Sequence, residues 1–269
     1  MIRCRTFKQG FWLAPIFIAA GCATTANIKE GKVAGQEDVM RVWRDTGSEK
    51  PAYTVKRSAL EPELRGLWDG PAWRAAETLE ITHYFDESKF KPKVQARALY
   101  DSEGIYLHFR VEDQYVLTTR TEYRGQVWKD SCAEFFVQPK PDRGYFNFEI
   151  NSGGTMLASF HEHPHYRGPE QPEAVPWSLA AKIPLYHSAP NVLSPEVQEP
   201  VMWQLEYFIP FSFFESFVGP LDAIKGQTWR ANFYKCAEDN SHPHWGAWSP
   251  VLEDLNFHQP RFFGQLNFE

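Results

Sequence analysis

The chain has 269 residues, with 34 acidic against 28 basic side chains and a formal net charge of −6. No cationic cluster offsets that balance, which excludes a surface built for phosphate backbones, so nucleic acid is not an expected partner. Aromatic residues make up 16% and prolines number 20, a composition suited to short strands and turns rather than long helices.

In chain order, Arg3, Arg5 and Lys8 precede an apolar run from Phe11 to Ala20, then Gly21 and Cys22. Ten apolar residues rise only about 15 Å as a helix, half of a bilayer core. Residues 1–21 therefore read as a secretory signal rather than a membrane span. Ala19-Ala20-Gly21-Cys22 resembles a bacterial lipobox, with alanine in place of the usual leucine three residues before the cysteine. That resemblance implies acylation of Cys22 and a cell-envelope lipoprotein, at the outer membrane or facing the periplasm, touching the membrane only through its anchor. Plain secretion is the alternative. Residues 22–50 carry little periodic apolar content and read as a tether, with Gln36–Arg44 a short helix candidate.

From residue 51 to 269 the chain reads as one β domain. Ala52–Arg57 is a strand, and Leu67–Trp73 is a turn built on Asp69-Gly70-Pro71. Val94–Asp101 and Ile105–Asp113 form a hairpin across Ser102-Glu103-Gly104. In the latter, Ile105, Leu107, Phe109 and Val111 alternate with Tyr106, His108, Arg110 and Glu112, a period of two. Strands are further expected at 131–138, 145–151, 155–160, 178–184, 201–209, 228–236 and 262–268, with a helical turn at Phe211–Phe217. This pattern predicts an all-β fold: a jelly-roll-like β-sandwich of two antiparallel sheets with few short helices.

Two neighbouring strands hold the most informative faces. Ala133, Phe135 and Val137 share one side, and Cys132, Glu134 and Phe136 the other. Phe146, Phe148 and Ile150 face inward on the next strand, leaving Asn147, Glu149 and Asn151 beside Glu134. With Cys4 in the signal and Cys22 at the anchor, Cys132 and Cys236 remain. They are either a disulfide or two buried thiols.

A pyranose ring offers apolar C–H faces and an equatorial belt of hydroxyls, which flat aromatics and carboxylates or amides can hold. Trp128, Trp245 and Trp248 lie in loop or strand-end positions. Two indoles each removing about 50 Å² from water would contribute roughly 2–3 kcal/mol. A glycoside hydrolase, cleaving O-glycosyl bonds, is the alternative. It needs two carboxylates about 5–9.5 Å apart, and Glu134 and Glu149 on adjacent strands meet that requirement at about 5 Å. Asp130 and Glu134, about 13 Å apart along one strand, do not. His161, His163 and His165 read as a loop, because Pro164 interrupts the strand. For any bound metal, oxygen donors around Glu112, Asp113 and Asp130 favour calcium over zinc.

Seven stretches occur in an order that resembles family 9-like carbohydrate-binding modules of the DOMON-like group. They are Asp69-Gly-Pro-Ala-Trp73, Val111-Glu-Asp113, Trp128-Lys-Asp-Ser-Cys-Ala-Glu-Phe-Phe-Val137, Ile209-Pro-Phe-Ser212, Arg230-Ala-Asn-Phe-Tyr234, Trp248-Ser-Pro250 and Phe257-His258 with Phe263-Gly264. The resemblance implies a β-sandwich with calcium-stabilised loops and a slot that takes sugar chain ends between two tryptophans. It places Trp128 as one wall, Trp248 as the other and Glu134 as a hydroxyl-binding carboxylate. Glu149 stands where the sugar-binding members carry an arginine, and Arg230 or Lys235 is the replacement cation to look for. The expected protein is a non-catalytic module that retains saccharides at the cell envelope near partner glycoside hydrolases, in support of carbohydrate catabolism. Its expected site is Trp128, Glu134, Asn147 and Glu149, closed by Asn232 and Trp248.

Overall fold

The structure, a computed structural model, describes residues 50–162 and 172–269. The signal, Cys22, the tether as far as residue 49, the helix expected over Gln36–Arg44, and His163 and His165 lie outside the described residues.

Two sheets face each other across an apolar interior. The first contains β1 (Ala52–Arg57), β7 (Cys132–Gln138), β8 (Tyr145–Asn151), β9 (Met156–His161), β10 (Glu173–Ala174), β14 (Thr228–Ala237) and β16 (Gly264–Phe268), in the order β10-β9-β8-β7-β14-β16-β1. The second runs β1-β4-β5-β13-β11, through β4 (Lys93–Tyr100), β5 (Gly104–Asp113), β13 (Val201–Pro210) and β11 (Leu185–His187). Strand β1 belongs to both: Ala52–Val55 pair with β16, and Lys56–Arg57 pair with β4. Both pairings are parallel, which corrects the expectation of purely antiparallel sheets. Joining two sheets through one strand leaves fewer open edges, which are the vulnerable parts of a β protein.

The alternating pattern explains the layers. Phe135, Phe148 and Phe233 point inward from the first sheet, and Phe109, Trp203 and Tyr207 from the second, all fully or almost fully buried. Each buried phenylalanine contributes about 1.5–3 kcal/mol relative to exposure. Helix α2 (Phe211–Val218) closes one end by packing Phe213 and Phe214 on Phe146 and Phe148.

The strand expected over 178–184 is instead helix α1 (Trp177–Ala180), followed by β11. Pro176 enters with φ −62°, a value suited to a helix start, and Leu179-Ala180-Ala181 are strong helix formers. Pro184 then ends the turn.

Candidate functional site

Strand register builds the floor of a cleft on the outer face of the first sheet. Glu134 stands directly opposite Glu149 on β8 and Tyr234 on β14, and Glu149 stands opposite Leu157 on β9. The next row is Asn232, Phe136, Asn147 and Ser159, and beyond it Tyr145 faces His161. Two carboxylates therefore sit side by side at Cβ distances of about 5 Å, nearly sealed at 2% and 5% exposure.

Hydrogen bonds hold this floor in place. The Asn147 amide donates to Glu149 Oε1 at 2.7 Å, and His161 Nε2–H donates to Asn147 Oδ1 at 2.9 Å. The Cys236 thiol donates to Glu134 Oε1 at 2.9 Å. Glu149 Oε2 is buried without a hydrogen-bond partner. Burial pushes the Glu134 carboxyl well above its ordinary range, helped by the neighbouring Cys236 and Glu149. Burial also raises Glu149 to about 7, against the pull of the Asn147 amide. Burial thus favours the protonated, hydrogen-bond-donating form of Glu134, next to a carboxyl raised to about 7 that has a vacant acceptor. Burial keeps His258 neutral, at about 4, and depresses His161 likewise.

Trp128, in the 3-10 turn Val127–Lys129, and Trp245, in β15 (His244–Ala247), are both partly exposed at the rim. They line a cleft of about 440 Å³ with Arg124, Glu238, Asn256 and His258. The Trp245 indole N–H donates to Glu238 Oε1 at 3.3 Å, which fixes that ring against the wall. Half-open volume, flat aromatic edges and convergent donors and acceptors are the features of a small-ligand site.

The sequence profile of carbohydrate-binding family 9 matches residues 74–268. The chain belongs to that family. Among solved structures, it is similar to a candidate carbohydrate-binding protein from Bacteroides uniformis, at 29% identity and TM-score 0.71, over 82% of this chain and 100% of that one. It also resembles a family 9 module from Caldicellulosiruptor kristjanssonii solved with cellotriose. There identity is 13% and the TM-score 0.57, over 81% and 94% of the two chains. A family 9 module from the same organism solved with glucose gives 13% and 0.56, over 80% and 95%. At that identity these modules show a shared fold. No curated protein sequence matches this family 9 chain significantly.

Four of the expected site residues of this family 9 chain, Trp128, Glu134, Asn147 and Glu149, converge on the cleft. Trp248 does not. It is buried in the interlayer core, edge-on to Phe233 at 5.7 Å and packed against Gly264, where any Cβ would collide with its ring. Asn232 is also displaced from the site: its Oδ1 accepts the Ser249 N–H at 2.8 Å and its Nδ2 donates to the Ser249 carbonyl at 2.9 Å. It staples the chain after Trp248 instead of meeting a ligand.

Neither expected cation reaches the carboxylates. Lys235 points to the opposite layer, where its ammonium donates to His244 Nε2 at 2.7 Å and lies 3.5 Å from Asp113. Arg230 donates to the Arg261 carbonyl at 3.2 Å. Arg124, from the loop before Trp128, is the arginine that lines the cleft.

Glu112, Asp113 and Asp130 do not fit a calcium cage. Glu112 and Asp113 are successive strand residues on opposite faces; Glu112 pairs with Lys93 at 2.9 Å, and Asp113 accepts the Trp203 indole N–H at 3.1 Å. Asp130 already accepts from Thr119, Arg120 and Asn151 through five hydrogen bonds. Calcium asks for six to eight converging oxygens. Cys132 and Cys236 are free buried thiols, directly opposite each other on β7 and β14.

Ser159, His161 and His258 line the cleft without having been expected there, and Trp245, named with Trp128 and Trp248 as a candidate indole, takes the place expected of Trp248. The alternation of β9 carries a signal for Ser159 and His161, because Ala158 and Phe160 face the core. His258 depends on a non-local loop.

Proposed function

We propose that this chain is a carbohydrate-binding module whose ligand occupies the cleft between Trp128 and Trp245. The observation that carries this reading is the buried floor: paired Glu134 and Glu149, one vacant carboxylate oxygen, and an amide, all beneath partly exposed indoles. A sugar ring laid on an indole buries its C–H face while its hydroxyls reach the floor. Glu134 donates, Glu149 Oε2 accepts, and Arg124 and Glu238 supply charged partners at the rim. Cellotriose and glucose in the Caldicellulosiruptor modules make oligosaccharides and their chain ends the first ligands to try.

At the level of the cell, the reading is an envelope lipoprotein acylated at Cys22, retaining polysaccharide fragments for partner hydrolases in carbohydrate catabolism. The apolar run before Cys22 supports it. Mass spectrometry of the membrane-extracted protein tests the anchor: a diacylglycerol adduct on an N-terminal Cys22 is expected, and an unmodified mature terminus contradicts it.

Calorimetry against a panel of oligosaccharides tests binding. Saturable heat with at least one glycan, at roughly millimolar to micromolar affinity, is the expected result. Silence across gluco-, xylo-, manno- and galacto-oligosaccharides opposes it. The facing carboxyls keep hydrolysis as the second reading. Release of reducing ends that Glu134→Gln abolishes would favour it over simple retention.

A further inference from the structure

The cysteine pair has a use that saccharide binding does not absorb. Cys132 and Cys236 face each other across β7 and β14 on the cleft side of the sheet, and Glu134 follows Cys132 by two residues on the same face. All three are almost completely buried. Their ligand atoms, two sulfurs and one carboxylate oxygen, lie within 4.8 Å of one another. Among the described residues, they are the group of three such side chains that comes this close.

The geometry points to a thiolate-rich divalent metal site at the bottom of the cleft, formed by Cys132 Sγ, Cys236 Sγ and Glu134, with zinc the class of ion it suits. Zinc–sulfur bonds of about 2.3 Å and zinc–oxygen bonds of about 2.0 Å place neighbouring ligands roughly 3.3–3.8 Å apart in a tetrahedron. The present separations, from 2.9 Å between Cys236 Sγ and Glu134 Oε1 to no more than 4.8 Å, bracket that spacing. Two sulfurs select a borderline or soft ion over calcium or magnesium. The fourth position opens toward the cleft, because Glu134 and Cys236 line it while Cys132 lies beneath.

A second observation marks the same place. Glu149, directly opposite Glu134, is buried with its Oε2 unpartnered, and it also lines the cleft. An uncompensated acceptor beside three potential anionic ligands is costly unless a cation or donor satisfies it. Glu149 can take that part as a hydrogen-bond acceptor for metal-bound water, much as outer carboxylates support metal ligands elsewhere. Binding transfers the two thiol protons and the Glu134 carboxyl proton to solvent as the sulfurs and the carboxylate coordinate, and no oxidation is involved. The site shares Glu134 and Glu149 with the proposed saccharide floor, but its thiolate readout does not depend on saccharide binding.

The test is cadmium titration of the full-length chain carrying Cys4→Ser and Cys22→Ser, reduced and stripped of metal. Expected is a thiolate-to-cadmium charge-transfer band in the ultraviolet that saturates at one ion per chain, is removed by competing zinc, and accompanies a rise in melting temperature. Cys132→Ser and Cys236→Ser should each reduce the band to half or less. Glu134→Gln should keep it while weakening the ion at least tenfold. Absence of the band in protein with two titratable thiols would overturn the proposal without any variant having to fold. So would isolation of the envelope protein with Cys132 and Cys236 already joined as a disulfide, or a band unchanged in both serine variants.

Discussion

On the outer face of the second sheet, Glu206 sits in a closed compartment. One oxygen accepts the Arg65 and Gly66 backbone N–H groups, and the other accepts the Trp73 indole N–H at 2.6 Å. Trp68 lies over this compartment between Arg97 and Arg110, at 4.3 and 4.4 Å. On the outer face of the first sheet, Glu134 and Glu149 have no covering segment of that kind among the described residues. They face each other beneath a half-open cleft, and one oxygen lacks a partner. The two sheets of one sandwich thus carry a buried carboxylate each way: one plugged by residues 58–76, the other left to be satisfied from outside. Gly66 is part of the plug, since its φ of +72° and its close approach to the Tyr186 ring leave no room for a side chain. Carboxylates and tryptophans alone do not distinguish a site from a plug. What distinguishes them is whether the protein supplies its own donors.

The largest effect expected is on the tryptophan that turned out to be core. Trp248→Ala should destabilise by about 3–5 kcal/mol, read as a shift of the denaturant midpoint at unchanged slope. A loss below 1 kcal/mol would return Trp248 to the surface. Glu206→Ala should follow, at about 3 kcal/mol, because it strands three N–H donors in a dry compartment. By contrast, Trp128→Ala should move stability little and weaken saccharide binding about 10–100-fold, about 1.4–2.8 kcal/mol. Equal losses of stability in the Glu206 and Trp128 variants would erase the distinction between plug and cleft.

Acid should also separate the two faces. His108 lies in the plugged compartment, with Nε2 at 3.0 Å from Gln204 and Glu206 at 3.4 Å. Burial lowers it from 6.5 to about 3, with Arg97 and Arg110 pushing the same way against the Gln204 hydrogen bond. Its folded state stays neutral while the unfolded chain takes up a proton below 6.5. Stability contributed by His108 is therefore present above pH 6.5 and is lost progressively as pH falls toward 3, at no more than about 1.4 kcal/mol per pH unit. Burial raises Glu206, which opposes this in the upper carboxylate range. Unfolding free energy measured between pH 6.5 and 4 should fall less steeply in His108→Gln than in the parent. The smallest effect belongs to Glu149→Gln, which replaces a buried carboxyl that titrates near 7 with a neutral amide beside Glu134. Its stability should change by less than about 1 kcal/mol or rise. A loss as large as that of Glu206→Ala would mean that Glu149 is also internally satisfied.

Much of this architecture was legible in single strands. Alternation in β5, β7 and β8 identified both the strands and their inward faces, so Glu134, Asn147 and Glu149 could be grouped before any coordinates. The very short strands at Leu79–Ile81, His83–Tyr84 and Val116–Thr118 hold too few residues to show a period. Trp245 and Trp248 are three residues apart, and which indole enters the core follows from pairing of β15 with both β14 and the short strand His83–Tyr84. The pairing with His83–Tyr84 joins residues more than a hundred positions apart and leaves no local mark. Glu112, Asp113 and Asp130 suggested a cation because carboxylates cluster in that part of the sequence. Their actual partners, Lys93, Lys235 and Arg120, come from other strands and loops. The buried Lys235 was unreadable for the same reason: its strand neighbours are apolar, and its counter-charge lies on the opposite sheet.

The most direct measurement is a crystal structure of the protein with the best oligosaccharide from the binding panel. Sugar density should fill the cleft, with a ring against Trp128 or Trp245 and hydroxyls within hydrogen-bonding distance of Glu149 Oε2 and Glu134. Density at any other surface, with Glu149 still unpartnered beneath an empty cleft, would contradict the assignment.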